Sequence, residues 1–314
     1  MKIKLLVSGL GGSLFPYLHE KLKDKFELFY VDGDEQLKHL YKELNFFLSP
    51  MVKNPSYWEF IKKIIDECKI DFYIPLIDEE IVNAKTKIEG YHGVRVIAPS
   101  AAFSELCLNK FDLMRFLQKI EISNVESYTA NNYKGEIGMP VFVKPISGRG
   151  SRGIKKIENI EELNAYYLLE GYEQSDILIQ PLLYGTEYTV GVLTNNLNDF
   201  ISISCKKIIR KKGITQIAVT ENNDFIESVA IKIIEQMNPC GPFNIQLMLT
   251  PENEVKIFEI NPRFSTTTIL EVEGGINPVS LYIENFGKVY EDRILKPATN
   301  LVIHRRWENV FYGV

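Results

Sequence analysis

The sequence predicts an α/β fold over its first hundred residues and an α+β fold over the remainder. Three observations carry this. Short apolar strands alternate with amphipathic helices up to about residue 100, a Gly-rich segment joins two strands near residue 150, and a β-rich pair of runs spans 243–263. Strand, helix, strand at the first spacing gives a parallel sheet with right-handed crossovers.

Ile3–Val7 reads as the first strand, and Ser8-Gly-Leu-Gly-Gly-Ser13 as a Gly-rich turn. A helix follows with Leu14, Leu18 and Leu22 on one face. Phe26–Val31 is a second strand ending at Asp32. Trp58, Ile61, Ile65 and Cys68 mark another helix, and Phe72–Leu76 another strand. Asp78-Glu79-Glu80 either lines the crevice at the strand ends or starts a helix, where acids are favoured. Ser100–Ile120 is expected as one helix with Lys110 midway along it. From Val125 to Pro181 the pattern gives strand Val141–Lys144, a glycine loop, strand Gly153–Ile157, a helix from Ile160 and strand Ile177–Gln180. Strands Tyr188–Leu193 and Phe200–Lys206, helix Phe225–Met237 and the final hairpin complete the reading.

The 314 residues exceed the usual size of one domain. Hydrophobic residues make up 45% and charged residues 25%, as in ordinary globular proteins. A net charge of −5 argues against a nucleic-acid partner. No apolar run approaches the roughly 20 residues of a membrane span. The start has the look of a secretory signal, but Gly11-Gly12 interrupts it and no small-residue cleavage site follows. Cys68, Cys107, Cys205 and Cys240 are dispersed without metal or redox spacing, so a reduced, cytoplasmic chain is expected.

The chemistry lies in four segments. Phe142-Val-Lys144-Pro ends a strand in a lysine, and Ser147-Gly-Arg-Gly-Ser-Arg-Gly153 follows at once. Clustered glycines let backbone N–H groups turn toward an anion, and arginines add charge. A tight hairpin with solvated arginines would look the same. In Ile177–Val190 an apolar strand runs through Gln180-Pro181-Leu182-Leu183 into a strand opened by Glu187. A free backbone edge there can read an adenine, and a carboxylate a few residues on can take ribose hydroxyls; a plain hinge is the alternative. In the 243–263 hairpin, alternation puts Glu259 and Asn261 on one face. A turn about Glu252-Asn253 sets Gln246 opposite Glu259. Three hard oxygen donors with one charge among them suit Mg²⁺ carried in by nucleotide phosphates. Arg263 stands beside them.

Taken in order, Lys110, Lys144 with Ser147–Gly153, Gln180–Glu187, and Gln246 with Glu259-x-Asn261-x-Arg263 resemble the ATP-grasp superfamily. The nearest likeness is to the carbamoyl phosphate synthetase large-subunit group with its stand-alone carboxylate–amine ligases. The resemblance implies a Rossmann-like N-terminal domain over 1–99 and an ATP-grasp domain over 100–314, with 125–181 as a small mobile lid. It implies ATP and Mg²⁺ (or Mn²⁺) as cofactors, small-molecule carboxylate and amine substrates, and a homodimer as a common state. Lys110 and Lys144 would contact the α- and β-phosphates. The loop carrying Ser147, Gly150, Ser151 and Gly153 would close on the β/γ-phosphates. Gln180, Pro181, Leu182 and Leu183 would hold adenine, Glu187 ribose, and Gln246, Glu259 and Asn261 the metal. Arg263 and Lys144 would be the catalytic cations. Lys206, Lys207 and Arg210 fall where the family often faces substrate, although Lys-Lys-x-x-Arg-Lys-Lys is also an ordinary solvated run. Gln246 departs from the acid found in many relatives.

The implied activity is ATP-dependent, ADP-forming activation of a carboxylate as an acyl phosphate for attack by an amine. The alternatives are a single-unit enzyme forming carboxy- or carbamoyl phosphate, a non-catalytic ATP-binding regulator, and a nicotinamide-cofactor protein using Gly9–Gly12 with Asp32. The four histidines show no ligand spacing, so zinc and hydrolase chemistry find no support.

Overall fold

The computed structural model describes residues 2–41, 44–148, 152–306 and 309–311. Its first third is β1 (Lys4–Ser8), α1 (Phe15–Leu22), β2 (Glu27–Asp32), α2 (Gln36–Leu40), β3 (Asn45–Leu48), α3 (Tyr57–Cys68), β4 (Phe72–Ile74), α4 (Asp78–Lys87) and β5 (Arg95–Val96). The strands form one sheet in the order β3-β2-β1-β4-β5, and every pairing is parallel. The expected helix faces are the buried ones. Leu14, Leu18 and Leu22 cover one side of the sheet, and Trp58, Ile61 and Ile65 the other.

Next come α5 (Ala101–Leu108) and α6 (Lys110–Lys119). The single helix expected over Ser100–Ile120 is broken. Asn109 leaves the helical region at φ −101°, ψ 101°, and its side chain accepts from the amides of Phe111 and Asp112, both at 3.1 Å. An Asn favours exactly this capping role over a helix interior because its short amide competes for backbone donors. Lys110 therefore opens a helix instead of lying midway along one.

A small four-stranded sheet follows, built from β6 (Tyr128–Thr129), β7 (Val141–Pro145), β8 (Lys155–Ile157) and β9 (Ile177–Pro181), in the order β6-β9-β7-β8. Helix α7 (Ile160–Glu170) packs Leu163 and Tyr166 against it.

The last sheet has six strands. β10 (Thr186–Thr194), β11 (Phe200–Lys212), β12 (Ile214–Glu221), β13 (Pro242–Leu249), β14 (Val255–Asn261) and β15 (Val302–His304) run in the order β14-β13-β10-β11-β12-β15. The intervening helices are α8 (Asp224–Met237), α9 (Thr268–Glu273) and α10 (Pro278–Glu284). The hairpin register is the expected one, with Gln246 opposite Glu259. Strand β12 was not anticipated, because its polar–apolar alternation directly continues a charged run.

Leu193, Ile201, Phe264, Val279 and Tyr282 join Leu5, Val7 and Ile74 in a single core, so the parallel sheet and the six-stranded sheet are packed on one another. Among the described residues no helix is long and apolar enough to cross a membrane.

Candidate active site

The two antiparallel sheets face each other across a cleft of about 710 Å³. Its lining includes Lys110, Lys144, Ser147, Gln180, Pro181, Leu182, Leu183, Glu187, Gln246, Glu259, Asn261 and Arg263. Residues as far apart as Lys110 and Arg263 thus converge, most of them from α6, β7, β9, β10, β13 and β14. Gly150 and Ser151 lie outside the described residues. Gly153 stands behind the wall, at φ 67°, where an added Cβ would come within 3.0 Å of both Pro145 and Tyr172. Its carbonyl accepts from Tyr166 Oη at 2.7 Å.

Cations line the cleft. Lys110 Nζ donates to Gly148 O at 3.0 Å, so the capped start of α6 anchors the glycine loop. Lys144 is only 3% exposed. Its Nζ donates to Phe258 O at 3.0 Å and lies 5.4 Å from the centre of the Phe258 ring. That carbonyl is available because β14 bulges there: Gln246 pairs with Glu259 but Leu247 pairs with Ile257, which leaves Phe258 as the extra residue. Burial brings the Lys144 ammonium down to about 8, against the pull of Glu259 and with help from Lys110 and Lys211.

Apolar side chains share the same cleft: Phe142, Ile154, Leu183, Met248 and Phe258 line it, and the chain passes from β9 into Leu182-Leu183 along it. This suits a planar aromatic base. Gln180 Nε2 donates to Ser127 Oγ at 2.8 Å, which fixes the amide.

Lys211 Nζ bridges Glu187 Oε1 at 2.6 Å and Gln246 Oε1 at 3.1 Å. The charged run 206–212 is neither evenly solvated nor evenly turned to the cleft. Lys206 is fully buried and paired with Glu271, and Arg210 meets His304 at 3.3 Å on the sheet edge. Two register shifts, at Ile208/Arg210 and Arg210/Lys211, reset the alternation and bring Lys211 into the cleft. Simple period-two counting along the run cannot find it.

Gln246, Glu259 and Asn261 offer one carboxylate and two amide oxygens. Asn261 Nδ2 donates to Asn244 Oδ1 at 3.3 Å, which leaves the Asn261 oxygen as the ligating atom. Among the described residues no group of three His, Cys, Asp or Glu could hold a metal by itself. The set fits a hard divalent ion that keeps waters and takes its remaining ligands from phosphates. Arg263 is held by Asp78 through Nε–Oδ1 and by a 3.3 Å Nη2–Oδ2 contact. Burial opposes its charge, but the carboxylates of Asp78, Glu259 and Glu79 raise its pKa overall.

The family model for an ATP-grasp protein "in the biosynthetic pathway with Ter operon" matches residues 173–309. A D-alanine–D-alanine ligase of Flavobacterium psychrophilum is 26% identical over 228 residues, covering 65% of this chain and 66% of the ligase. The carbamoyl phosphate synthase large chain of Methanothermobacter thermautotrophicus is 25% identical over 249 residues, covering 71% of this chain and 23% of that protein. The chain thus spans less than two thirds of either relative. The crystal structure of carboxyaminoimidazole ribonucleotide synthase from Aspergillus clavatus complexed with ATP superposes with a TM-score of 0.76 at 17% identity, over 96% of this chain and 81% of that one.

Proposed function

We propose that this chain, an ATP-grasp protein by fold and by sequence, is an ADP-forming ligase that activates a carboxylate as an acyl phosphate and passes the acyl group to an amine. The observation that carries the reading is the single cleft shared by Lys110, Lys144, Gln180–Leu183, Glu187, Gln246, Glu259, Asn261 and Arg263. Its composition fits the reagents: apolar side chains for a base, and cations with a metal-type donor set for phosphates.

In this reading adenine lies against Phe142, Met248 and Leu183, and the ribose takes the place of the Lys211 ammonium on Glu187. Lys110 and Lys144 meet the α- and β-phosphates. Gln246, Glu259 and Asn261 would hold Mg²⁺, which would supply positive charge to neutralise the phosphates during transfer. The transfer brings two anions together, a carboxylate and the γ-phosphoryl group. Lysines 110, 144 and 211 lower that repulsion, and Arg263 stabilises charge on the equatorial oxygens. The acyl phosphate is water-sensitive, so exclusion of water by the 125–181 unit and the loop at 147–153 belongs to the mechanism. The amine displaces phosphate and leaves ADP, phosphate and the new C–N bond. We assign a cytoplasmic location from the dispersed cysteines and a homodimeric state from the family resemblance.

The test is ADP release with Mg·ATP against pooled carboxylic acids in the presence of hydroxylamine. A hydroxamate formed with one pool, and lost in Glu259→Gln, supports the reading and begins to name the acid. Saturable ATP binding with no hydroxamate from any pool, bicarbonate included, points to a regulatory binder.

A further inference from the structure

Three consecutive acids open α4, and the 100° step of a helix sends them in three directions. Glu79 lines the cleft. Asp78 reaches Arg263, 185 positions away. Glu80 turns inward and is completely buried.

The Glu80 carboxylate collects four donors: Tyr57 Oη at 2.6 Å, Tyr73 Oη at 2.7 Å, Ile77 N at 3.2 Å and Ser8 Oγ. Ser8 Oγ in turn accepts from Leu76 N at 3.0 Å. One side chain therefore ties the ends of β1 and β4, helix α3 and the first turn of α4. A fully buried carboxylate is costly unless it is satisfied in this way. The proposed reaction makes no use of it.

We propose that Glu80 and Asp78 are positioning residues for Arg263, so that the parallel-sheet unit aims the arginine of the phosphoryl-transfer cleft. Glu80 fixes the first turn of α4. That turn sets the Asp78 carboxylate, which grips the Nε–Nη2 edge of the guanidinium. Nη1 makes only a 3.4 Å contact with Phe264 O and keeps an N–H for a ligand. Pairing with Asp78 cancels most of the arginine's net charge, while Lys110, Lys144 and Lys211 already supply cationic field. What Arg263 adds is direction, and direction depends on how it is held. The inference rests on the reading of Arg263 given above.

The experiment combines kinetics with a direct view of the arginine. In ¹⁵N-labelled protein, Arg263 Nε–H, assigned by its loss in Arg263→Lys, should be a slowly exchanging resonance. Asp78→Asn should shift or broaden it and lower kcat for hydroxamate formation by about 30- to 100-fold, with the KM for ATP changed by less than about twofold. Glu80→Gln should shift the same resonance and cost about tenfold in kcat, again at nearly constant KM. On the Arg263→Lys background, Asp78→Asn should cost less than about twofold more, because both act through one group. An unmoved resonance and an unchanged kcat in Asp78→Asn would overturn the proposal, as would a full multiplicative loss in the double variant. If Arg263→Lys alone leaves kcat unaltered, the phosphoryl-transfer reading of Arg263 fails. The resonance still reports whether Asp78 holds the arginine.

Discussion

Lys144 links the geometry of the cleft to a pH dependence that can be worked out in advance. Its ammonium is 3% exposed, and desolvation brings it down to about 8. A polyphosphate placed on it would return the group toward the usual lysine value of about 10.4. Between those two values nucleotide binding must take up a proton. At pH 7 about nine tenths of the free protein carries the charge, and at pH 9 about one tenth. Affinity should therefore fall about tenfold between pH 7 and pH 9, or about 1.4 kcal/mol. Calorimetry of ADP binding in buffers of different ionisation enthalpy should show uptake of nearly one proton at pH 9 and almost none at pH 6.5. Lys144→Met should bind weakly at every pH and lose both effects. Stability responds in the opposite sense. The unfolded chain holds this proton up to about 10.4 and the folded one only to about 8, so burial of the charge destabilises the fold fully below pH 8 and ceases to do so above pH 10.4. The full amount is about 3 kcal/mol. A flat affinity between pH 7 and 9 with no proton uptake would refute the assignment of Lys144 to the phosphates.

Three further outcomes follow from the same contacts. Glu259→Gln should weaken Mg²⁺-dependent ATP binding by about 100-fold or more while leaving metal-free binding nearly intact, as titration with and without chelator will show. At Gly191 an added methyl would collide with Glu271 Oε1 and come within 2.7 Å of Lys206 Nζ, inside a buried ion pair; Gly191→Ala should cost about 3 kcal/mol in urea unfolding. Asn109→Ala removes the cap of α6 and should cost about 1 kcal/mol of stability, together with a rise in the KM for ATP as Lys110 loses its fixed start.

Much of the fold was legible because its signals are local. Leu14, Leu18 and Leu22 announce a helix face, and the apolar runs at Ile3–Val7 and Phe26–Val31 announce parallel strands. The Gln246–Glu259 pairing was only partly legible: the turn at Asn253, at φ 64°, closes with Leu249 opposite Val255, which alone would set Gln246 against Phe258, and the bulge at Phe258 brings Glu259 into place. The break at Asn109 was missed because an Asn within an apolar helical period is as often a surface residue as a cap. Lys211 was missed for a different reason. Two register shifts decide which face it takes, and a shift is set by the partner strand, not by the run itself. Asp78 and Glu80 share that character. Their neighbours are Arg263 and Ser8, 185 and 72 positions distant, so only the packed structure separates three adjacent acids into three roles.

The central claim is that a carboxylate attacks the γ-phosphoryl group. With the acid that yields a hydroxamate, the decisive measurement is transfer of label from that acid, ¹⁸O-enriched in its carboxylate, to the phosphate released with ADP, read by ³¹P NMR. Acyl phosphate chemistry in this cleft predicts one ¹⁸O in each phosphate. Unlabelled phosphate, or ¹⁸O found in AMP, would contradict it.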